Sequence, residues 1–394
     1  MLFGDSSFWQ GKFRAVLSIR SLAFPACLLL LSIVCVSSFS ASATGQNTSN
    51  GDSDLAAQAS AARMQNDAPR AIELYSRALQ QDPKWADGWW FLGSLQYGVG
   101  AYIPARDALS RYIELTPNAG PAFALRGLCE FEMGDVRQSL IDIEHGISLG
   151  AANQPRNEQI LLYHRAMLLT RLGNYEGALK AYSYFAKKGI TNPELLIAIG
   201  LAGLRIPLLP KELASDQQEL ASATGDAGYR FLAGDEASAA QAFQELFHRF
   251  PRALNTHFFY GYLLFATDPD AALPEFQQEL QLSPSNADAN VMAAWALLMR
   301  NGAIDALSYA QNAVAKDADL PSAQLVLGRS LLETGDVNGG MQHLEKALKL
   351  EPDNIETHLA LAKAYSKSGR KEDARRERVL CLRLSRGNDS TEHP

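Results

Sequence analysis

A chain of 394 residues, 47% hydrophobic and 20% charged, is long enough to bury one or two large cores or one long repeat array, which excludes a disordered or collagen-like protein. Lys and Arg total 36 against 43 Asp and Glu, and the formal charge of −7 excludes a general electrostatic attraction to nucleic acid. The four cysteines, two of them inside an N-terminal apolar stretch, are too few for a disulfide framework, so stability has to come from packing.

In chain order, residues 1–20 carry Lys12, Arg14 and Arg20 against the single acid Asp5. Leu22 to Val36 (LAFPACLLLLSIVCV) is apolar, and a small-residue stretch then ends in Ala41-Ser42-Ala43. A charged segment, a short apolar run and an A-x-A site in that order predict a secretory signal peptide over 1–43, cut between Ala43 and Thr44. The apolar run is about fifteen residues and contains Pro25, whereas a spanning helix needs roughly twenty. The alternative is an uncleaved anchor, with transient membrane association through this segment. Removing 1–43 leaves a net charge of −9, and the polar stretch 44–54 (TGQNTSNGDSD) is expected to be a flexible lead-in.

From residue 55 the chain repeats. Pro83 and Pro117 lie 34 residues apart, as do Ala71 and Ala105, Gly93 and Gly127, and Ala318 and Pro352. Within a unit the apolar residues recur at helical spacing, for example Trp89, Leu92 and Gly93, then Ala105, Leu109 and Tyr112. Each unit therefore reads as two helices. The turns between them show as Met133-Gly134-Asp135, Leu172-Gly173-Asn174-Tyr175, Ala233-Gly234-Asp235, Thr334-Gly335-Asp336 and Ser368-Gly369-Arg370. Glycine there is expected to end the first helix in a left-handed conformation, and the following Asp or Asn to cap the second.

These features resemble the tetratricopeptide repeat family, most clearly in 89–117, 172–182, 327–352 and 361–377. The resemblance implies an all-α fold, a right-handed superhelical solenoid of antiparallel helix pairs with about nine repeats and one degenerate unit. The units begin near residues 52, 86, 120, 159, 220, 254, 287, 321 and 355. An N-terminal block spans 55–190 and a C-terminal block 220–386, followed by a disordered tail over 387–394. Between the blocks, Pro193 to Arg205 reads as a first helix, but Pro207 and Pro210 forbid a second of normal length. The segment 191–219 is thus a hinge, or a decayed repeat still packed in the array.

Nothing in the sequence carries catalysis. The seven histidines show no metal-ligand spacing, and there is no G-x-S-x-G, phosphate loop or G-x-G-x-x-G motif. No enzyme activity, cofactor, metal or nucleic acid is expected, and Cys129 and Cys381 read as buried thiols. The family resemblance instead implies a protein or peptide partner held on the concave face, where the first helices offer certain positions. Here these are Trp90 and Tyr97, Phe131, Tyr163 and Met167, then Phe258, Tyr262 and Phe265, Trp295 and Met299, Arg329, and finally Lys363 and Lys367. Trp89 falls at a packing position. The carboxylate clamp of some family members is not supported, since Ser53, Ala56, Ser60, Asp87, Trp90 and Ser94 occupy its places. The expected function is a non-enzymatic interaction scaffold of the bacterial cell envelope, periplasmic or secreted. The alternative is an accessory subunit of an envelope enzyme or of a polymer synthesis or export machine.

Overall fold

The computed structural model describes residues 50–389. Over this range the chain forms nineteen α-helices and no strand: α1 (Asn50–Met64), α2 (Ala68–Gln81), α3 (Ala86–Gly98), α4 (Tyr102–Leu115), α5 (Gly120–Met133), α6 (Val136–Ser148), α7 (Pro155–Arg171), α8 (Tyr175–Lys187), α9 (Pro193–Gly203), α10 (Gln218–Leu232), α11 (Glu236–Arg249), α12 (Thr256–Phe265), α13 (Pro269–Leu282), α14 (Ala287–Met299), α15 (Ala303–Lys316), α16 (Pro321–Thr334), α17 (Val337–Leu350), α18 (Ile355–Lys367) and α19 (Lys371–Asp389). The chain divides into two compact units between His164 and Arg165, inside α7, so the segment 191–219 belongs wholly to the second. The site expected for signal cleavage lies outside the described residues.

The turn chemistry explains where the helices stop. Gly134 closes α5 at φ 81° and Gly335 closes α16 at φ 101°, left-handed conformations that an L side chain rarely adopts. The next residue caps the following helix: Asp135 accepts from the Gln138 amide, Asn174 from Gly177, Asp235 from Ser238 and Asp336 from Gly339.

The pairs α5–α6 and α16–α17 are antiparallel and closely crossed. A Cβ on Gly127 of α5 would lie 2.8 Å from the Ile143 side chain of α6, and one on Gly120 would lie 2.6 Å from the Leu149 carbonyl. Early residues of one helix thus meet late residues of its partner. Gly328 repeats the arrangement against Leu344, at 2.6 Å, with the Gly340 carbonyl 3.0 Å away. Leu109, Ile143, Phe276 and Leu344 fill the same place in the pairs α3–α4, α5–α6, α12–α13 and α16–α17 and are fully buried. In unit 1 the core around Tyr75, Leu79 and Leu92 continues into the half-buried Trp85, Trp89 and Phe91. In unit 2 separate clusters follow one another along the array, centred on Phe276, on Ala310 and on Leu344.

Two boundaries differ from expectation. Helix α1 starts at Asn50, inside the stretch 44–54 expected to be a flexible lead-in, because the Ala-rich run LAAQASAARM propagates helix back into it. At the other end α19 continues to Asp389, past the boundary set at 387 for the tail. That last helix exposes Val379 and Leu382.

The degenerate segment has a first helix, α9, which ends at Gly203, short of Arg205. Pro207 disfavours helix in the residue before it, and only a short 3-10 turn, Pro210–Glu212, stands where a second helix would be. α9 instead packs antiparallel on α10, so closely that a Cβ on Gly225 would meet the Leu196 carbonyl at 1.7 Å. The break is also tied down by side chains. Arg171 donates to the Pro207 carbonyl at 2.5 Å, Asn255 Nδ2 donates to the Leu204 carbonyl at 2.9 Å, and the Glu212 carboxylate accepts from the Leu209 amide at 2.8 Å.

Candidate interaction surface

The first helices of successive pairs touch one another: α3 meets α5 in unit 1, and in unit 2 α12 meets α14, α14 meets α16 and α16 meets α18. Their rotation is fixed by a recurring hydrogen bond. Trp89 Nε1 donates to the Pro83 carbonyl at 2.9 Å, Asn290 Nδ2 to Pro284 at 3.4 Å, Gln324 Nε2 to Ala318 at 2.7 Å and His358 Nε2 to Pro352 at 2.9 Å. Four different side chains thus reach back six residues to the same carbonyl of the turn before the helix. The bond draws this face of each helix toward the turn and directs the next residue, such as Trp90 or Leu359, elsewhere.

In unit 1, Trp90 is half-buried with its ring 5.6 Å from that of Tyr112. Phe131 and Tyr163 are also half-buried, flanking the His164 ring at 4.8 and 6.1 Å. Tyr97 is different. Only 3% exposed, it packs edge-on against Tyr102 at 5.7 Å, so it stabilises the α3–α4 pair and has no free face to offer a partner.

In unit 2, Met167 and Phe258 are likewise buried, which corrects the expectation that they present a surface. Phe258 stacks on Tyr262 at 6.4 Å and is tilted against Phe276 at 5.9 Å, and Phe265 leans on Phe276 at 6.4 Å, so these rings bind the α12–α13 pair together. Further along, the Arg329 guanidinium lies 4.5 Å above the Trp295 ring and 3.4 Å from the Glu356 carboxylate. Lys363 pairs with Glu333, whose carboxyl is held below its ordinary range by that hydrogen bond, and Lys367 Nζ donates to the Leu332 carbonyl at 3.1 Å. The cations of this face are therefore engaged within the chain. Met299, 58% exposed, and Leu359, 47% exposed, are its open apolar residues.

One polar cluster of unit 2 escaped the sequence. Arg205 Nη1 donates to Glu176 at 2.8 Å and Nη2 lies 3.0 Å from Asp288, while the guanidinium sits 4.8 Å from the Tyr175 ring and 5.0 Å from that of Phe258. Burial pushes the Asp288 carboxyl up, against the pull of Arg205, and pushes the Tyr262 hydroxyl up with help from Glu176. The only local signal is an arginine two residues before Pro207. Its partners are 29 and 83 positions away in sequence, beyond the reach of any periodicity.

Cys129 and Cys381 are both buried free thiols, and burial pushes Cys129 up to about 12. Among the described residues no group of three or more His, Cys, Asp or Glu could hold a metal ion, and no helix is long and apolar enough to cross a membrane.

Comparison with known families gives two matches, both described as tetratricopeptide repeat, over residues 56–120 and 331–377. Among solved structures, MamA from Desulfovibrio magneticus RS-1 aligns at 19% identity over 43% of this chain and 97% of its own, with a TM-score of 0.39. A further MamA crystal structure aligns at 19% identity over 42% of this chain and 96% of its own, TM-score 0.38. The APC/C hetero-tetramer Cut9-Hcn1 aligns at 14% identity over 85% of this chain and 66% of that chain, TM-score 0.34. A search of curated proteins finds no match.

Proposed function

We propose that this chain, a tetratricopeptide-repeat protein, is an exported interaction scaffold that holds a segment of a partner protein across the first helices α14, α16 and α18. Proteins built of these repeats bind other proteins. The observation that carries the reading is the alternation of open apolar residues with cations on this face. Met299 follows Trp295 by one helical turn, Lys363 follows Leu359 by one turn, and Arg329 bridges Trp295 to Glu356. An extended segment could rest apolar side chains on Met299, Trp295 and Leu359 while exchanging its own charges with the Arg329 and Lys363 pairs.

A photo-crosslinking residue at Leu359 should give one discrete crosslinked protein in cell-envelope extract. That product should be lost when Met299→Asp and Lys363→Gln are added, with little change in melting temperature, since exposed positions contribute less than about 0.5 kcal/mol each and an exposed ion pair about 0–1 kcal/mol. Diffuse crosslinking that the two changes leave untouched would refute the surface. Export rests on the signal-like segment, and mass spectrometry of the extracellular or periplasmic fraction should find Thr44 as the N-terminus. An intact Met1 chain in the membrane fraction would instead identify an anchor, and with it the reading as an accessory subunit of a membrane-bound machine.

A further inference from the structure

We infer that Tyr175, Glu176, Phe258 and Asp288 form a guanidinium-binding cage that the chain fills with its own Arg205. Two aromatic faces, at 4.8 and 5.0 Å, and two carboxylates, at 2.8 and 3.0 Å, surround one side chain that is itself 19% exposed. The carboxylates are met by different terminal nitrogens. A planar fork can satisfy both while stacking on the rings, and an ammonium on a flexible stem cannot. The walls come from the N-terminal turn of α8, from α12 and from the first turn of α14, and they meet where the degenerate segment lacks a second helix. A cavity of about 10 Å³ lined by Leu179, Gly203, Phe259 and Tyr262 adjoins the guanidinium, so the room for a cation of this class is the space that the Arg205 side chain itself fills.

The backbone argues that Arg205 is there for its side chain. It ends α9 at φ 58°, with the Ile206 amide bonded to the Leu201 carbonyl at 2.9 Å, the geometry of a helix stop in which glycine is preferred. Glycine fills the equivalent place after α5 and α16. An arginine that adopts a conformation better suited to glycine is retained against local preference, and the cage is the compensating interaction in view.

This opposition of backbone and side chain gives a test with opposite signs. If Arg205 merely stops a helix, Arg205→Gly relieves strain and raises the melting temperature. As the occupant of a cage, its loss lowers the melting temperature by several degrees and opens the site. Ethylguanidinium at millimolar concentration should then raise the melting temperature of Arg205→Gly relative to the same concentration of ethylammonium, and should leave the wild-type chain unmoved. Asp288→Asn should lower the stability of the wild type but raise that of Arg205→Gly, where the carboxylate has lost its partner. Where the glycine variant is too weak to melt cooperatively, Arg205→Asn serves the same comparison, since asparagine tolerates the left-handed backbone and carries no cation into the cage. A stabilised Arg205→Gly, equal responses to the two ligands, or the same Asp288→Asn effect in both backgrounds overturns the inference.

Discussion

Glu130 offers the sharpest quantitative test of the packing in unit 1. It lies on α5, is 4% exposed, and its Oε2 has no hydrogen-bond partner. Burial, and secondarily the nearby charge of Asp142, push its carboxyl up from 4.5 to about 7, against the opposing pull of Arg126. Between these two values the native chain holds the proton more tightly than the unfolded chain does. Stability therefore falls as pH rises from about 4.5 to about 7, and above that range the full cost is present. At 1.36 kcal/mol per decade the cost is about 3 kcal/mol as an order of magnitude. Glu130→Gln is isosteric and cannot ionise, so it should stabilise unit 1 by up to about 3 kcal/mol at pH 8 and by almost nothing at pH 4. Urea unfolding followed by tryptophan fluorescence reads this unit well, because Trp85, Trp89 and Trp90 all lie in it. The wild-type midpoint should decline from pH 5 to pH 8 relative to that of the variant. Parallel profiles, or a variant less stable at pH 8, would show that the carboxylate is compensated in the native chain and that the reasoning fails.

Three further outcomes follow from the geometry. Gly328→Ala forces a Cβ to 2.6 Å from Leu344 Cγ and should destabilise its pair, whereas Gly98→Ala meets nothing within 4 Å and should stabilise α3 by about 0.5–1 kcal/mol; thermal melting of the two variants distinguishes crossing from propensity. Glu279, fully buried on α13, accepts from the amides of Asn255 at 2.9 Å and Phe258 at 3.3 Å, standing in for the cap that α12 lacks; Glu279→Ala should therefore cost about 2–3 kcal/mol and raise hydrogen exchange at the start of α12. Cys129, buried and held protonated, should resist a thiol reagent at pH 8 in the folded chain and react once urea unfolds it; prompt reaction of the native protein would contradict its burial.

What could be read from the sequence was whatever a single helix pair determines. Gly134-Asp135 and Gly335-Asp336 state in two residues where one helix stops and the next starts, and the small residue at Gly127 or Gly328 announces a close crossing. The same period also assigned Trp89 to packing, but it could not reveal that Asn290, Gln324 and His358 perform the task of the Trp89 indole, because they share only a donor N–H. For the surface, periodicity gave the side of the helix and not its exposure. Trp90 and Tyr97 were assigned to one face, yet Tyr97 lies against Tyr102 while Trp90 remains half-open.

Arg205 and Arg329 differ in how firmly the fold holds them. Both are arginines stacked on an aromatic ring and paired with an acid from a neighbouring first helix. Arg205 adds a second ring and a second acid, and its side chain is 19% exposed; Arg329 has one of each and is 32% exposed. Desolvation makes the first pairing costly to break and leaves little for a partner to gain there, whereas the more open pairing at Arg329 can be exchanged for a partner's charge at low cost. Phe258 and Tyr262, the aromatic residues at the Arg205 end, are thus spent on the fold.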